Sequence, residues 1–387
     1  MKEFDFINTP IINIVNDVII DAINKNASDI HFDPHEDFLK IRIRIDGDLQ
    51  DYSIVDNKYK RNLITRVKLL SGMNITESRL PQDGAIKSSI NGKDLDLRVS
   101  SVPTNLGEKV VIRILDYTMS FEGLEKLGFS KENYERILKM LANPNGIILV
   151  TGATGSGKST TVYSMLQKLN KEETNIITVE DPVEMNIEGV NQIQVNSEIG
   201  LDFANVLRSI LRQDPNIILI GEIRDSETAK IAIRASITGH LVLSTLHTNN
   251  SLNTIERLLD MDVERYLLSS SLKGIISQNL AKRLCPYCKK KRPTNDMEKQ
   301  IFKKSLGLEV NEIYTPVGCD KCHKGYKGRI AVQEVLYITE EIRNAINEGI
   351  SREELHKMIY KEGTLTIFQD GLIKVLDGIT TIEEVFR

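Results

Sequence analysis

Aromatic residues and net charge are both scarce in this 387-residue sequence. It contains no tryptophan, and aromatic residues make up only 5% of it. A motor that moves along single-stranded nucleic acid needs basic surface and aromatic side chains on which bases stack, so this composition argues against one. The formal net charge of −4 gives no bulk electrostatic reason to expect DNA or RNA as the main partner. We therefore expect no nucleic acid among its partners.

Long apolar segments are also missing. No apolar run approaches the ~20 residues that span a bilayer. The first residues, Met1 to Phe6, lack the basic stretch and apolar core of a signal peptide. These absences predict a cytoplasmic protein without direct membrane insertion, whose association with a membrane goes through a partner.

Cysteine is rare, and its spacing is informative. The four cysteines form two CxxC pairs: Cys285, Cys288, Cys319 and Cys322. In a cytoplasmic protein of this size such pairs favour a metal site over disulfides. Four thiolates suit a closed tetrahedral Zn²⁺ site, which leaves no open position for catalysis. We expect a small insertion, 281–330, that the zinc holds together with little core of its own. Reduced free cysteines or redox activity are the alternatives.

The most informative segment that is present is rich in glycine and follows an apolar run ending at Val150. A strand, a glycine-rich loop and a helix form the context of a phosphate-binding P-loop, here with a helical pattern over 162–169. Glycines let backbone N–H groups wrap around phosphate oxygens. Lys158 supplies positive charge at the β- and γ-phosphates, and Ser159 supplies a hydroxyl for Mg²⁺. The predicted residues for binding ATP are Gly152, Ala153, Thr154, Gly155, Ser156, Gly157, Lys158, Ser159 and Thr160.

The chain is too long for one ordinary core, and its first part reads as a small α+β domain over residues 1–115. Hairpin turn signals occur at Asp46-Gly47 and Asn91-Gly92. The apolar spacing predicts helices over 10–26 and 58–71, a break at 27–29, and strands over 39–45, 85–90, 95–100 and 109–115.

Residues 116–127 are predicted to be a linker, and residues 128–387 alternate strand and helix patterns. Short continuous apolar runs are typical of buried parallel strands, and they occur at 146–150, 176–179, 217–220 and 241–245. This alternation predicts a doubly wound α/β nucleotide-binding core.

Polar residues follow three of these apolar runs. Glu180, Glu222 and His247 come at or just after the strand ends, where parallel sheets place their sites. Gly221 stands where many P-loop enzymes have the aspartate that holds Mg²⁺. Glu222 is therefore predicted to contact the Mg²⁺ shell, the attacking water, or both. His247 could sense the γ-phosphate, whereas His240 is expected to support the loop. For any one of these residues, a helix cap or a surface charge is the alternative.

Arginine is the other residue type that phosphoryl transfer uses, since an arginine finger contributes roughly 10³–10⁵ in rate. Arg208 and Arg212 are four residues apart in a helical pattern and are predicted to share one face of a helix. Arg98 and Arg113 fall in two predicted strands of the first domain. The residues alone favour solvated side chains for these two.

Taken together, these motifs resemble the secretion ATPases of type II secretion and type IV pilus assembly (the GspE/PilB type). The resemblance runs from about Thr9 to Arg387. The P-loop is similar to the family's Walker A motif. The other similar segments are its Asp box at 178–184, its Walker B segment at 217–225, its His box at 239–249, the arginine-finger strands at 98–108 and Arg113, and the C-terminal stretch 369–384.

The resemblance implies a RecA-like ATPase core, preceded by a PAS-like domain, in a homohexamer that binds ATP between the two domains of a subunit. Glu222 would act on the water or the Mg²⁺ shell with help from Glu180. Arg98 and Arg113 would be arginine fingers, whereas the sequence pattern without the resemblance favours solvated side chains for both. Arg208, Arg212 and His247 would relay the state of the γ-phosphate.

The resemblance also implies a role in assembling pili or pseudopili, because the related retraction motors generally lack the tetracysteine module. Family members usually carry a further N-terminal domain that docks on a membrane-linked adaptor, and this sequence begins almost at the next domain. The expected partner is therefore the platform protein of the inner membrane. Alternatives are a retraction motor, a nucleic-acid-translocating ATPase and a scaffold that does not hydrolyse ATP.

Overall fold

The structure is a computed structural model that describes residues 1–90, 93–115, 123–361 and 363–386. The chain divides into two compact units, Met1–Ser120 and Phe121–Arg387. The predicted turn at Asn91-Gly92 and residues 116–122 of the predicted linker lie outside the described residues, and the predicted domain boundaries stay predictions. Among the helices in the described ranges, none has the length and apolar character that crossing a membrane requires.

The first unit has an α+β architecture. Its elements are α1 (Ile11–Asn24), β1 (Ala27–Pro34), β2 (Phe38–Ile45), β3 (Asp48–Asp56), α2 (Asn57–Leu70), β4 (Gln82–Ile90), β5 (Lys93–Thr104) and β6 (Gly107–Leu115). Within the described residues, six strands form one antiparallel sheet in the order β3-β2-β1-β6-β5-β4. Apolar side chains of α1 and α2 share one buried core with the apolar side chains of this sheet.

Most predicted elements of this unit are present, but two strands were missed. The turn between β2 and β3 has positive φ at Asp46 (51°) and Gly47 (89°), which matches the hairpin signal. The predicted helices agree with α1 and α2 to within a few residues. The helix does end before the predicted break at 27–29, but strand β1, which begins at Ala27, and strand β3 were not predicted.

The second unit is built on a mostly parallel sheet. After a short 3₁₀ turn (Leu124–Lys126) come α3 (Lys131–Leu141), β7 (Gly146–Thr151), α4 (Lys158–Leu169), β8 (Ile176–Glu180), β9 (Val190–Gln194), a second 3₁₀ turn (Ser197–Ile199), α5 (Phe203–Ile210), β10 (Ile217–Ile220), α6 (Ser226–Ile237), β11 (Leu241–Leu246), α7 (Ser251–Asp260), α8 (Arg265–Ser271), β12 (Leu272–Leu284), β13 (Lys290–Pro293), α9 (Asp296–Leu306), β14 (Glu312–Thr315), β15 (Tyr326–Tyr337), α10 (Glu340–Glu348), α11 (Arg352–Lys361), α12 (Ile367–Leu376) and α13 (Ile382–Val385).

In the described chain the large sheet has the strand order β15-β12-β7-β11-β10-β8-β9, with only β15 antiparallel to its neighbour. Alternate residues of β7 enter two different cores: Ile147 and Leu149 pack in one, and Ile148 and Val150 pack in the other. Both faces of the sheet are therefore apolar and covered by helices, as expected for a doubly wound sheet. The mixed α/β fold with a parallel sheet, predicted from the apolar runs, is confirmed.

The segment with the cysteines connects β12 to its antiparallel neighbour β15. It carries a two-stranded sheet (β13 and β14) and helix α9. Its apolar side chains, Phe302 and Ile313, share a core with Leu372, Val375 and Ile382 near the C-terminus. Helices α12 and α13 supply the remaining buried side chains of this core, and the expectation that the module has little core of its own stays a prediction.

Candidate nucleotide-binding site

The P-loop joins β7, which is buried along its whole length, to helix α4. Its glycines adopt positive φ angles: 146° at Gly152, 79° at Gly155 and 88° at Gly157. These are conformations that other residues rarely adopt, so the sequence requires glycine there. The helix begins at Lys158, earlier than the predicted pattern, which places its positive N-terminal end directly at the loop.

Lys158 lies inside this loop. Its Nζ donates hydrogen bonds to the carbonyls of Gly152 (2.9 Å) and Ala153 (3.0 Å), and only 9% of the residue is exposed. Burial lowers the pKa of the Lys158 ammonium, although the nearby charge of Glu222 opposes that shift. A buried cation of this kind gains strongly from a nearby anion, so the loop fits the phosphates of a nucleotide.

Glu222 and His247 meet at the carboxyl edge of the sheet, as the sequence predicts. Glu222 follows β10, His247 follows β11, and His247 Nε2 lies 3.3 Å from Glu222 Oε2. The other carboxylate oxygen, Glu222 Oε1, accepts a hydrogen bond from Arg224. Sequence reasoning gave Arg224 no role, although it lies only two residues after Glu222.

These neighbours decide the charge of Glu222. Burial by itself would raise the pKa of this carboxyl, whose side chain is 16% exposed. The hydrogen bond and charge of Arg224, together with His247, outweigh burial and hold the pKa below its usual value. Glu222 is therefore ionised at neutral pH, and its carboxylate suits a water molecule or a hydrated cation better than a role as a strong base.

Gly221 has a steric reason to be glycine. A Cβ atom at this position would lie 3.2 Å from the Cα of Glu180 and 3.3 Å from the carbonyl oxygen of Val179. The neighbouring strand β8 would therefore have to shift by a few tenths of an ångström to admit the aspartate that many P-loop enzymes have there.

Glu180 lies at the same sheet edge, but its carboxylate is fully engaged. It is 4% exposed and accepts hydrogen bonds from the Tyr163 hydroxyl, from Thr178 Oγ1 (2.6 Å) and from Gln192 Nε2 (3.1 Å). The Tyr163 hydroxyl also accepts from the backbone N–H of Glu184 at 3.2 Å. Glu180 thus ties α4 to the end of β8, and its assistance to Glu222 stays a prediction.

Arg208 and Arg212 do not share a helix. Helix α5 ends at Ile210, so only Arg208 is helical, and the prediction of one common face was wrong. Arg208 donates to Glu227 and to Asn205 Oδ1 (3.3 Å), and Arg212 donates to the carbonyl of Arg208 at 2.8 Å. No hydrogen bond found among the described residues joins either arginine to the P-loop or Glu222. Their role in relaying the γ-phosphate state stays a prediction.

His240 lies at the opposite edge of the sheet. Its Nδ1 is 2.9 Å from the carbonyl oxygen of Ala235, and its backbone carbonyl accepts from Gly146 N–H at the amino end of β7. His240 therefore stabilises the turn between α6 and β11, away from the P-loop.

Arg98 and Arg113 belong to the first unit. They lie directly opposite each other in the pairing of β5 with β6. Arg113 Nε donates to Asp29 Oδ1 at 3.2 Å, and its side chain is 67% exposed. A guanidinium that is largely exposed is available to a ligand, and the arginine-finger role of both residues stays a prediction.

The four cysteines do come together. All four Sγ atoms lie within 4.8 Å of one another, and three of the pairs are 3.6, 3.7 and 3.9 Å apart. Zinc–sulfur bonds of about 2.3 Å in a tetrahedron place sulfur atoms ~3.8 Å apart, so this cluster fits zinc. Backbone N–H groups of Gly318 and Cys319 donate to Cys288 Sγ and Cys322 Sγ at 3.3 Å each, which favours thiolates.

A P-loop at the carboxyl edge of a doubly wound parallel sheet, with an ionised glutamate beside it, defines the class of P-loop ATPases. A family model described as "Type II/IV secretion system protein" matches residues 7–387. The chain therefore belongs to the type II/IV secretion system protein family, which confirms the resemblance seen in its motifs.

Individual relatives support the same family assignment. The chain is 46% identical over 379 residues to the putative type II secretion system protein E of Escherichia coli K12, covering 98% of this chain and 76% of the relative. It is 45% identical to the type IV pilus assembly ATPase PilB of Myxococcus xanthus, covering 98% and 68%. The crystal structure of the pilus retraction motor PilT with bound ADP matches with a TM-score of 0.65 at 28% identity, covering 95% of each chain.

Proposed function

We propose that this protein hydrolyses ATP to power the assembly of a type IV pilus or of a type II secretion pseudopilus. The observation that carries the ATPase part is the group formed by Lys158 inside the P-loop and Glu222 held by Arg224 and His247. The relatives named for type II secretion and for pilus assembly support the assembly part.

In this proposal each residue at the sheet edge has one task. Lys158 and the P-loop N–H groups bind the phosphates, and Ser159 is the Mg²⁺ ligand. Bound Mg²⁺ neutralises phosphate charge. Glu222 orients the attacking water or the Mg²⁺ shell, and its low pKa keeps the carboxylate ionised. His247 contacts Glu222 and so can respond to the γ-phosphate.

The larger assembly is part of the same proposal. The protein works as a homohexamer, and Arg98 and Arg113 stabilise charge in the transition state. Hydrolysis acts on a platform protein of the inner membrane, so that the ATPase works at the inner face of the membrane through this partner. The relatives' names for secretion and pilus assembly support such a membrane machine.

The decisive experiment measures ATP turnover of the purified protein alone, with the co-expressed platform protein, and with single-stranded DNA. We expect stimulation by the platform protein only. Stimulation by DNA alone would contradict the proposal and indicate a nucleic-acid motor.

The role of Glu222 is tested by Glu222→Gln, which keeps the shape of the side chain but removes its charge. We expect ATP turnover to fall roughly 100-fold while nucleotide binding is kept, because the carboxylate acts on the water or the Mg²⁺ shell and not on the phosphates themselves. The matched control is Glu173→Gln at an exposed glutamate. Wild-type turnover in Glu222→Gln would refute the assignment.

Zinc in the tetracysteine module is tested by metal analysis and chelation. We expect about one zinc per chain, and we expect its removal to lower the melting temperature, because the cluster closes the base of the module. Re-addition of zinc should restore the original melting curve. A metal-free protein with unchanged melting would show that the cysteines are simply reduced thiols.

A retraction motor is the second candidate, and the match to PilT favours it. The tetracysteine module favours assembly instead, since retraction motors of this superfamily generally lack it. Complementation separates the two: the gene should restore pili to cells without an assembly ATPase. Rescue of retraction only would make the protein a retraction motor.

A further inference from the structure

A buried glutamine of a neighbouring strand contacts the P-loop region at two points. Gln278 lies in β12 and is 2% exposed. Its amide nitrogen donates to the carbonyl oxygen of Ser156 at 2.8 Å, and its amide oxygen accepts from Thr161 Oγ1 at 2.8 Å. Ser156 belongs to the P-loop and Thr161 to α4, so one side chain joins the loop to the helix that follows it.

The two partners allow only one orientation of this amide. A backbone carbonyl can only accept, so the amide nitrogen of Gln278 must face Ser156, while the hydroxyl of Thr161 is free to donate to the amide oxygen. The flipped amide would place two acceptor oxygens against each other. An apolar side chain at this position would leave the Ser156 carbonyl without this donor.

The bond to Ser156 also sets the direction of a backbone N–H group. The carbonyl of Ser156 and the N–H of Gly157 belong to one planar trans peptide, in which the two groups point in opposite directions. Because Gln278 holds the carbonyl toward β12, the Gly157 N–H points away from that strand. A P-loop binds phosphate through such N–H groups, so Gln278 orients one of the donors.

Strand β12 packs against the loop on the same side. A Cβ atom on Gly152 would lie 2.3 Å from the carbonyl oxygen of Gln278, and one on Gly157 would lie 3.1 Å from its Nε2. One residue earlier in β12, Ser277 Oγ lies 2.9 Å from Thr151 Oγ1. The glycines at 152 and 157 thus make room for β12 as well as for phosphate.

We infer that Gln278 is a positioning residue of the nucleotide site, which holds the Ser156–Gly157 peptide in its phosphate-binding orientation and so sets the affinity for ATP. This inference rests on the proposed ATPase function of the P-loop. Gln278 acts through the loop backbone, to which it donates its hydrogen bond.

The test variant is Gln278→Met, which removes both hydrogen bonds at similar volume and adds no charge. The loop binds phosphate in the ground state and in the transition state alike. We therefore expect KM for ATP and Kd for ADP to rise about tenfold, with a much smaller change in kcat. ATP turnover and the binding of a fluorescent ADP analogue give the two values.

A matched control lies on the next strand. Gln333 of β15 is directly opposite Gln278 in the pairing of the two strands and is fully buried. Its Oε1 lies 3.4 Å from Lys374 Nζ, not at the P-loop. Gln333→Met removes a comparable buried amide from the same sheet, and we expect its KM to stay at the wild-type value. If both variants change KM equally, Gln278 contributes only to stability.

The outcomes separate this inference from the proposed function. Absence of ATP binding by the wild-type protein would refute the ATPase proposal itself. A wild-type protein that binds ATP, with the same KM in folded Gln278→Met, would refute the positioning role alone. If Gln278→Met does not fold, Thr161→Val removes one of the two bonds and should raise KM about threefold. An unchanged KM in that variant would overturn the inference.

Discussion

The two large sheets of this protein place their polar residues differently. In the antiparallel sheet of the first unit, β1 alternates apolar Ile30 and Phe32 with polar Asp29, His31 and Asp33. The polar set lies opposite Lys40, Arg42 and Arg44 of β2. In the parallel sheet of the second unit, strands such as β7 and β10 are apolar on both faces.

This difference decides where each unit can carry chemistry. A sheet with one polar face can present charged groups along its strands, and Arg113 bonds to Asp29 on that face. In the sheet that is covered on both faces, Lys158, Glu222 and His247 lie at or beyond the carboxyl ends of the strands. Polar side chains inside its strands, such as Gln278 and Gln333, are buried. Substitutions should therefore separate activity from stability in the second unit.

The largest expected effect is at the carboxyl edge. Lys158→Ala removes the cation from the P-loop, and we expect ATP turnover to fall at least ~100-fold, because a preorganised charge at the phosphates is lost. The control is Lys168→Ala, at an exposed lysine in the last turn of the same helix. Turnover above a tenth of the wild-type rate in Lys158→Ala would contradict the predicted site.

The second largest expected effect is a loss of stability when a side chain is shortened on a buried face of the parallel sheet. Leu219 of β10 is 2% exposed, and Leu219→Ala should lower the free energy of unfolding by about 2–5 kcal/mol, because it leaves a cavity. On the polar face of the other sheet, Arg44 lies 3.5 Å from Asp29, and Arg44→Ala should cost less than about 1 kcal/mol. Urea unfolding followed by circular dichroism measures both. Equal losses of unfolding free energy in the two variants would show that the two sheets do not differ in how much a side chain on these faces contributes to stability.

The smallest effect depends on pH. Burial raises the pKa of Asp33, but hydrogen bonds from Arg42 (2.7 Å) and Lys109 (2.5 Å) outweigh it, so the pKa is lowered. A carboxyl whose pKa is lower in the folded state stabilises the fold above its unfolded pKa, near 4, and this contribution disappears as pH falls through the folded pKa. Asp33→Asn should therefore cost about 1 kcal/mol at pH 7 and progressively less as the pH is lowered toward 2.

The control for this prediction is Asp51→Asn. Asp51 pairs with Lys40 at 3.1 Å, but its side chain is 50% exposed, so we expect no measurable change at either pH. A cost of Asp33→Asn that stays the same from pH 7 to pH 2 would show that packing, and not charge, is lost.

Sequence patterns predicted the elements whose apolar periodicity is regular. The predicted run 217–220 coincides with β10, and the P-loop lies between a strand and a helix as expected. Strand β1 was not predicted, because Ala27-Ser-Asp29 indicated the end of the preceding helix. The charged residues of this strand are also typical of a loop. The prediction that Arg208 and Arg212 share one face of a helix was wrong, because α5 ends at Ile210.

The sequence alone predicted the P-loop and the pairing of the cysteines into one cluster, since glycine conformations and CxxC spacing depend on residues close together in the chain. Only the tertiary structure decided three contacts. His247 lies against Glu222, the Tyr163 hydroxyl donates a hydrogen bond to the Glu180 carboxylate, and Gln278 donates one to Ser156, 122 residues away in the chain. These contacts depend on strand order, which apolar periodicity does not encode: it marks which side of a strand is buried, and not which strand lies beside it.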